Sequence, residues 1–199
     1  TQGVHVNFKN VLDSTRVKLP FGIAQIGKAF RNEITPGQFT FRSREFEQME
    51  LQFYVKPNDT EAKQWIEYWK NERLSFYLSL GIKKDNIRFR EHASDERAHY
   101  AKDAWDIEYK LPKEGSSSTS LRANSLSDSN EELWREFEGI HDRGDWDLRR
   151  HQEFSKHDPS YFDEETKERY LPRIIETSGG VDRAALFFLI DAYAEEKLE

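Results

Sequence analysis

An α+β fold is predicted by three stretches of this sequence. Residues 40–55, TFRSREFEQMELQFYV, alternate their side chains with the period of two that marks a strand. Downstream, Trp65, Ile66, Trp69, Phe76 and Leu80 recur at roughly helical spacing. Near the C-terminus a strand-like RIIETS meets Gly179-Gly180, and a strongly apolar run from Val181 to about Glu195 then reads as a helix. The 199 residues are enough for one sizeable domain with its own core.

In chain order, residues 22–33 form the first predicted strand, with Ile26 and Phe30 on one face and Gln25, Arg31 and Glu33 on the other. Gly27 and Ala29 share that second face and leave room above it. The turn ITPGQ closes a hairpin with the strand 40–55. Asp59 or Thr60 is the expected cap of the helix that follows, and Gly81 its end. Residues 86–109 read as an extended NIRFREH, a charged helical stretch and a short strand WDIEY. Residues 112–133 are Ser-rich and nearly free of large apolar groups, so a disordered insertion is expected there. A second strand-rich piece, WREFEGIHDRGDWDLRRH, precedes DEETKER, read as a solvated helix face, and then the closing strand and helix.

Composition excludes several functions. A formal net charge of −7 is no bulk nucleic-acid footprint, although a local basic patch could still bind a polyanion. Without cysteine there is neither a disulfide frame nor a thiolate metal site, which fits a reducing cytoplasmic setting. No apolar run reaches membrane-spanning length, and the N-terminus lacks the design of a signal peptide; Thr1 does not read as a natural start, so a fragment or a processed product is expected. His92, His99, His141, His151 and His157 lack tight ligand spacing, so no zinc site is expected.

The chemistry gathers in two places. A strand, two glycines and a helix N-terminus set backbone N–H groups and a positive dipole end beside the strand's last side chains. Arg183 in the first helical turn is disfavoured by that dipole, which points to an anion nearby or to pairing with a carboxylate such as Asp182. Over the hairpin, paired arginines suit a triphosphate, Phe46 could stack on a base, and Glu33 could accept from an exocyclic amine. A cross-strand ladder, Arg31 to Glu33 and Arg42 or Arg44 to Glu50, accounts for the same residues without any ligand. The residues alone leave both readings open.

FRNE (30–33) followed by REF (44–46) resembles motif 2 of class II aminoacyl-tRNA synthetases, and GVDR (180–183) resembles their motif 3. The longer runs VNFKNVLDSTRVKLPFGIAQIGKAFRNEITP, FRSREFEQMELQFYV, LSLGIKKDNIRFREH, AHYAKDAWDIEY and YFDEETKERYLPRIIE are similar to glycyl-tRNA synthetases of the homodimeric type. The similarity covers most of the chain outside 112–133. It implies an antiparallel sheet flanked by helices, ATP-dependent activation of glycine and its transfer to tRNA(Gly), with ATP, Mg2+, glycine and a homodimeric partner. Carried over by position, Arg31 holds the ATP α-phosphate and the glycine carboxylate, with Asn32 and Glu33 completing the nucleotide contact. Phe41, Arg42, Ser43, Arg44, Glu45 and Phe46 line the nucleotide site. Glu136, through Mg2+, and Phe137 lie beside ATP; Gly180, Val181 and Asp182 belong to the ATP site, and Arg183 binds its triphosphate tail. Glu50, Arg143, Glu176 and Ser178 surround glycine, with Thr177, Ser178, Gly179 and Gly180 as its loop.

The same resemblance places an Arg-Pro-Glu run, motif 1 and an anticodon-binding domain outside these 199 residues, so a partial catalytic domain with a sheet incomplete at its N-terminal side is expected. Within the similar region Gly37 stands for a basic residue, Thr177 for a proline, Gly179 for an alanine and DRG (142–144) for NRT. A synthetase-like module that binds ATP or a partner without catalysis, or an inactive fragment, is the alternative that these departures raise.

Overall fold

The structure is a computed structural model that describes residues 2–37, 39–93, 95–98, 101–112 and 133–196. Its centre is a six-stranded antiparallel sheet in the order β1-β2-β8-β5-β4-β3. The strands are β1 (Phe21–Phe30), β2 (Glu45–Val55), β3 (Ile87–Glu91), β4 (Asp103–Lys110), β5 (Trp134–Gly144) and β8 (Arg173–Gly180), with a small hairpin β6 (Tyr161–Phe162) and β7 (Arg169–Tyr170) beside them. The helices are α1 (Gln2–Thr15), α2 (Asp59–Ser79), α3 (Trp146–Ser155) and α4 (Val181–Ala192).

One sheet face carries the main core. Val55, Ile107, Phe137, Ile140 and Ile175 pack there against Ile66 and Tyr77 of α2 and Phe187 of α4. Phe53 meets Trp65 and Trp69 edge-on, with ring centroids 4.7 and 5.2 Å apart. Asp191 pins α4 to the β3 side of the sheet by accepting from the Lys83 amide, Asn86 Nδ2 and the Tyr109 hydroxyl. Among the described residues the opposite face is covered at one end, where Phe8 and Leu12 of α1 and Leu148 of α3 pack on Tyr54 and Ile174. A polar stretch of that face is left beside them, and the strand pattern decides which residues occupy it.

Several expected boundaries shift. Asn58, not Asp59 or Thr60, caps α2, because its side-chain oxygen accepts from the Thr60 and Glu61 amides at 2.8 and 3.1 Å. Gly81 ends that helix with φ of 103°, as glycine allows. Phe76 and Leu80 are exposed, and the buried stripe of α2 runs through Ala62, Ile66 and Tyr77. The strand expected from residue 40 begins at Glu45, since Phe39–Phe41 form a short 3-10 turn. Gly179 and Gly180 do not break the strand; they continue pairing with Met49 and Gln48. The stretch 134–151 divides into β5 and α3 instead of remaining strand-rich. Residues 163–168 are a turn and not a helix, held by Asp163 accepting from the Glu165 and Thr166 amides. Among the described residues between 92 and 102 there is no helix. The first helix, α1, was not foreseen at all. The expected insertion 112–133 lies, apart from its two end residues, outside the described residues, as does His99.

Candidate active site

Cross-strand register builds the site. Glu50 on β2 lies opposite Ser178 on β8, and Gln52 lies opposite Glu176; Glu176 and Ser178 are in turn opposite His141 and Gly139 on β5. Residues directly opposite share a sheet face, so these six positions form one patch. Its groups are joined by hydrogen bonds: Gln52 Nε2 donates to Glu176 Oε2 at 2.5 Å, Gln48 Nε2 to Ser178 Oγ at 2.5 Å, and Gln25 Nε2 to Glu50 Oε1 at 3.4 Å. Arg143, two residues beyond His141 on the same face, reaches both oxygens of Glu176 at 3.2 and 3.3 Å. Its other nitrogens fork onto Asp147 of α3 at 2.8 and 3.0 Å.

Glu50, Glu176, Arg143 and Asp147 are all buried. Burial opposes ionisation of Glu176, but the hydrogen bonds from His141 and Gln52 and the charge of Arg143 prevail and bring its carboxyl down to about 2. Two buried carboxylates and a hydroxyl in one patch, supported by a single guanidinium, suit a small cation with N–H groups to donate.

Further along the same face the chemistry changes sign. The Arg31 guanidinium lies 5.1 Å from the Phe46 ring centroid and makes no ion pair among the described residues. Its amide donates to the Arg44 carbonyl at 3.0 Å, while Arg44 Nε donates to the Glu33 carbonyl at 2.9 Å, which fixes the strand ends around it. The ladder that would have explained these residues without a ligand is absent among the described residues: the cross-strand pair found there is Lys28 with Glu45. Asn32 and Arg42 are exposed, and Ser43 Oγ is turned onto the Glu45 carbonyl at 3.0 Å.

Arg183, in the first turn of α4, donates to the Glu136 carbonyl and carboxylate at 3.0 and 3.1 Å and to the Phe41 carbonyl at 3.2 Å. The cation at the helix N-terminus is therefore paired with a carboxylate as well as facing the dipole. Asp182 accepts from the Glu47 amide at 3.1 Å, and Gly180 stands at the cap position before Val181.

Four expected site residues point elsewhere. Glu45 alternates with Phe46 and projects to the other face, onto Lys28. Thr177 and Gly179 alternate with Glu176 and Ser178 and face the helix layer; a Cβ on Gly179 would meet the Phe137 carbonyl at 3.1 Å and Met49 at 3.2 Å. They are strand, not loop. Phe137 is fully buried against Tyr77 and Phe187, with centroids 4.0 and 5.0 Å away. A β-bulge explains it: Ile107 pairs with Glu138 and Glu108 with Glu136, so Phe137 is the extra residue. Alternation resumes beyond the bulge and returns Glu136 to the polar face. The sequence reading also missed Gln25, Gln48, Gln52, Asp147 and His141 as members of this network. The three glutamines lie on the same alternating faces as the residues that were named, so the signal was available.

A family model described as the tRNA synthetase class II core domain (G, H, P, S and T) matches residues 2–184. The chain is 54% identical over its whole length to a glycine–tRNA ligase of Geobacillus kaustophilus, 52% to one of Clostridium acetobutylicum, and 50% over 98% of its length to one of Thermobifida fusca. It spans 38% of the length of each of these relatives.

Proposed function

The chain belongs to the class II tRNA synthetase core-domain family, and on that footing we propose that it is the catalytic core of a glycine–tRNA ligase, activating glycine with ATP for transfer to tRNA(Gly). The observation that carries this reading is the change of character along one sheet face, from the buried Glu50 and Glu176 and the half-buried Ser178 to Arg31 beside Phe46. An amino acid has a cationic and an anionic end, and its carboxylate must meet a phosphate. The two ends of the face match those demands.

In the proposed reaction the glycine carboxylate attacks the α-phosphorus in line and pyrophosphate leaves, so an acyl–phosphate bond forms as a phosphoanhydride bond breaks. No protein nucleophile is required; positioning and charge neutralisation supply the catalysis. Glu50 and Glu176 receive the ammonium, with Ser178 beside them, and Arg143 holds Glu176 in place. Arg31 neutralises the reacting phosphate and carboxylate, Phe46 stacks on adenine, and Arg183 takes the triphosphate tail after releasing Glu136. Glu136, whose carboxylate is half exposed beside Arg183, is the residue that would hold Mg2+, and the ion would supply neutralisation of phosphate charge. Selection of glycine rests on steric exclusion, because one methylene is worth only about 1–3 kcal/mol of binding.

A homodimer is part of the same proposal. It is supported by Ile26, Phe30 and Ile34, which are 70, 72 and 94% exposed on or next to the edge strand β1. A cytoplasmic setting is likewise proposed; among the described residues no helix is long and apolar enough to cross a membrane.

The test is pyrophosphate exchange into ATP by the full-length gene product. Exchange that requires glycine, and that alanine and serine do not support, is the expected result. ATP binding without exchange for any amino acid would overturn the enzymatic reading in favour of a nucleotide-binding module.

A further inference from the structure

The proposed reaction gives no part to His92 or Asp106, yet both converge with His141 beside the pocket. His92 follows β3, Asp106 lies on β4 and His141 on β5, so three adjacent strands bring together residues far apart in sequence. Each offers one ligand atom, and those atoms lie within 4.8 Å of one another. His92 Nε2 is 2.7 Å from Asp106 Oδ2. The two imidazoles meet edge-on with centroids 6.1 Å apart.

Gly139 makes the convergence possible. It is the partner of Asp106 in the β4–β5 register, and the His141 ring leans back over it: a Cβ there would sit 2.6 Å from His141 Cε1. A side chain at 139 would oblige the imidazole to shift from this position. On its other side His141 turns Nδ1 toward Glu176 Oε1 at 3.4 Å, leaving Nε2 for a ligand. A carboxylate behind a ligating imidazole fixes the tautomer and ring orientation and raises basicity, as in many metal centres.

We propose that His92, Asp106 and His141 form a site for one divalent transition-metal ion, zinc being the best-fitting, with Glu176 as the outer carboxylate behind His141. Two imidazole nitrogens and one carboxylate oxygen are a usual three-ligand zinc set that keeps a fourth position open. The same donors argue against Mg2+, which takes oxygen ligands. Tetrahedral zinc needs its ligand atoms about 3.4 Å apart, given bond lengths near 2.1 Å. The 2.7 Å pair must therefore open slightly and separations of up to 4.8 Å close by as much as about 1.4 Å, within reach of side-chain torsions. Both histidines keep about one-fifth of their side-chain surface exposed, which gives an ion a way in. Arg90 Nη1 lies 3.7 Å from Asp106 Oδ2, but its guanidinium is engaged by both oxygens of Glu96 at 2.6 and 2.8 Å. A dication here stands one side chain from Glu176, and it would compete with an ammonium for that carboxylate.

The site is tested by cobalt(II) and zinc titration of the full-length protein, tag removed and without substrates. Expected are a visible d–d spectrum that saturates at one equivalent of cobalt, displacement by zinc, and at least tenfold weaker zinc affinity in His92→Ala and His141→Ala. His151→Ala and His157→Ala should bind as the unmodified protein does. His92→Gln and His141→Gln serve where an alanine variant does not fold. Absence of the cobalt spectrum in the unmodified protein, or unchanged zinc affinity in the folded variants at 92 and 141, overturns the proposal. Binding is read without any reaction, so a protein that takes zinc here but activates no amino acid would refute the proposed function and leave this site standing.

Discussion

Arg143 and Arg31 hold opposite positions in this molecule. Arg143 is buried and divided between Glu176 and Asp147, whereas Arg31 makes no ion pair among the described residues. Removing them should therefore do different things. Arg31→Ala should leave the unfolding free energy within about 0.5 kcal/mol of the parent, as for a surface change. It should cut glycine-dependent exchange by a hundredfold or more, since charge-assisted contacts to a phosphate contribute about 1.5–3 kcal/mol each. Arg143→Ala should cost about 3–5 kcal/mol of stability by leaving buried carboxylates without their cation. Glu176→Gln separates the two ends of the site: glycine use should weaken roughly tenfold to a hundredfold while ATP affinity, measured without glycine, stays near the parent value. Equal losses for both ligands would mean that Glu176 supports the fold and not the ammonium. At this scale the sequence was legible wherever strict alternation held. Gln48, Glu50 and Gln52 share a face because each is two residues from the next, and Glu176 and Ser178 do likewise. It failed at Phe137, where a bulge adds a residue that no periodicity announces. It failed also at Glu45, Thr177 and Gly179, where a motif was taken as a contiguous block although a strand divides it between two faces.

Among the elements, α1 and α3 were the least legible and do much to define the site. Each buries one narrow stripe at the end of a sheet that is polar elsewhere, through Val4, Phe8 and Leu12 on α1 and Leu148 on α3. Only the tertiary partner reveals that stripe. The two helices meet through His5, whose Nδ1 is 3.1 Å from the Tyr54 hydroxyl and whose Nε2 is 3.8 Å from Asp147 Oδ2. Burial lowers the His5 imidazole from 6.5 to about 4, although the Asp147 carboxylate draws it back in part. The sign follows from proton counting. Above pH 6.5 the ring is neutral in both states and contributes nothing to pH dependence. Between pH 6.5 and 4 the unfolded chain binds a proton that the folded chain refuses, so folding stability falls as pH falls. The loss between pH 7 and pH 5 should be about 2 kcal/mol from this group. Urea unfolding at the two values measures it, and His5→Gln, which cannot titrate, should remove most of the difference. A slope unchanged by His5→Gln would assign the dependence to other groups. By contrast α2 and α4 were legible because their apolar residues recur over several turns, and the unexpected cap at Asn58 moves the start of α2 by a single residue.

For the whole molecule, the six-stranded sheet joins the site to everything else. Its order β1-β2-β8-β5-β4-β3 places the last long strand in the sequence, β8, between the second and the fifth, so the site closes only when distant segments pair. No local pattern encodes that order; the α+β class was legible, the strand order was not. Convergence of His92, Asp106 and His141 was hidden for the same reason, since ligand spacing along the chain says nothing about neighbouring strands. The topology also predicts where the molecule tolerates change. Leu111 donates its amide to the Leu133 carbonyl at 2.9 Å, immediately beyond the Lys110–Trp134 pair that ends the β4–β5 ladder. The chain thus leaves and re-enters the sheet at adjacent, already paired residues, and residues 113–132 are not needed to bring them together. We expect that replacing 113–132 by a four-residue turn containing Asn-Gly preserves the sheet. Shortening the connection about fivefold lowers the loop-closure cost by about 1.4 kcal/mol, so the unfolding free energy should rise slightly or stay level. Glycine-dependent exchange should remain within about twofold of the parent, because Glu136 and Arg183 are positioned by β5 and α4 and not by the connection. A loss of several kcal/mol, or of exchange with the fold retained, would show that the connection packs on the sheet or reaches into the site.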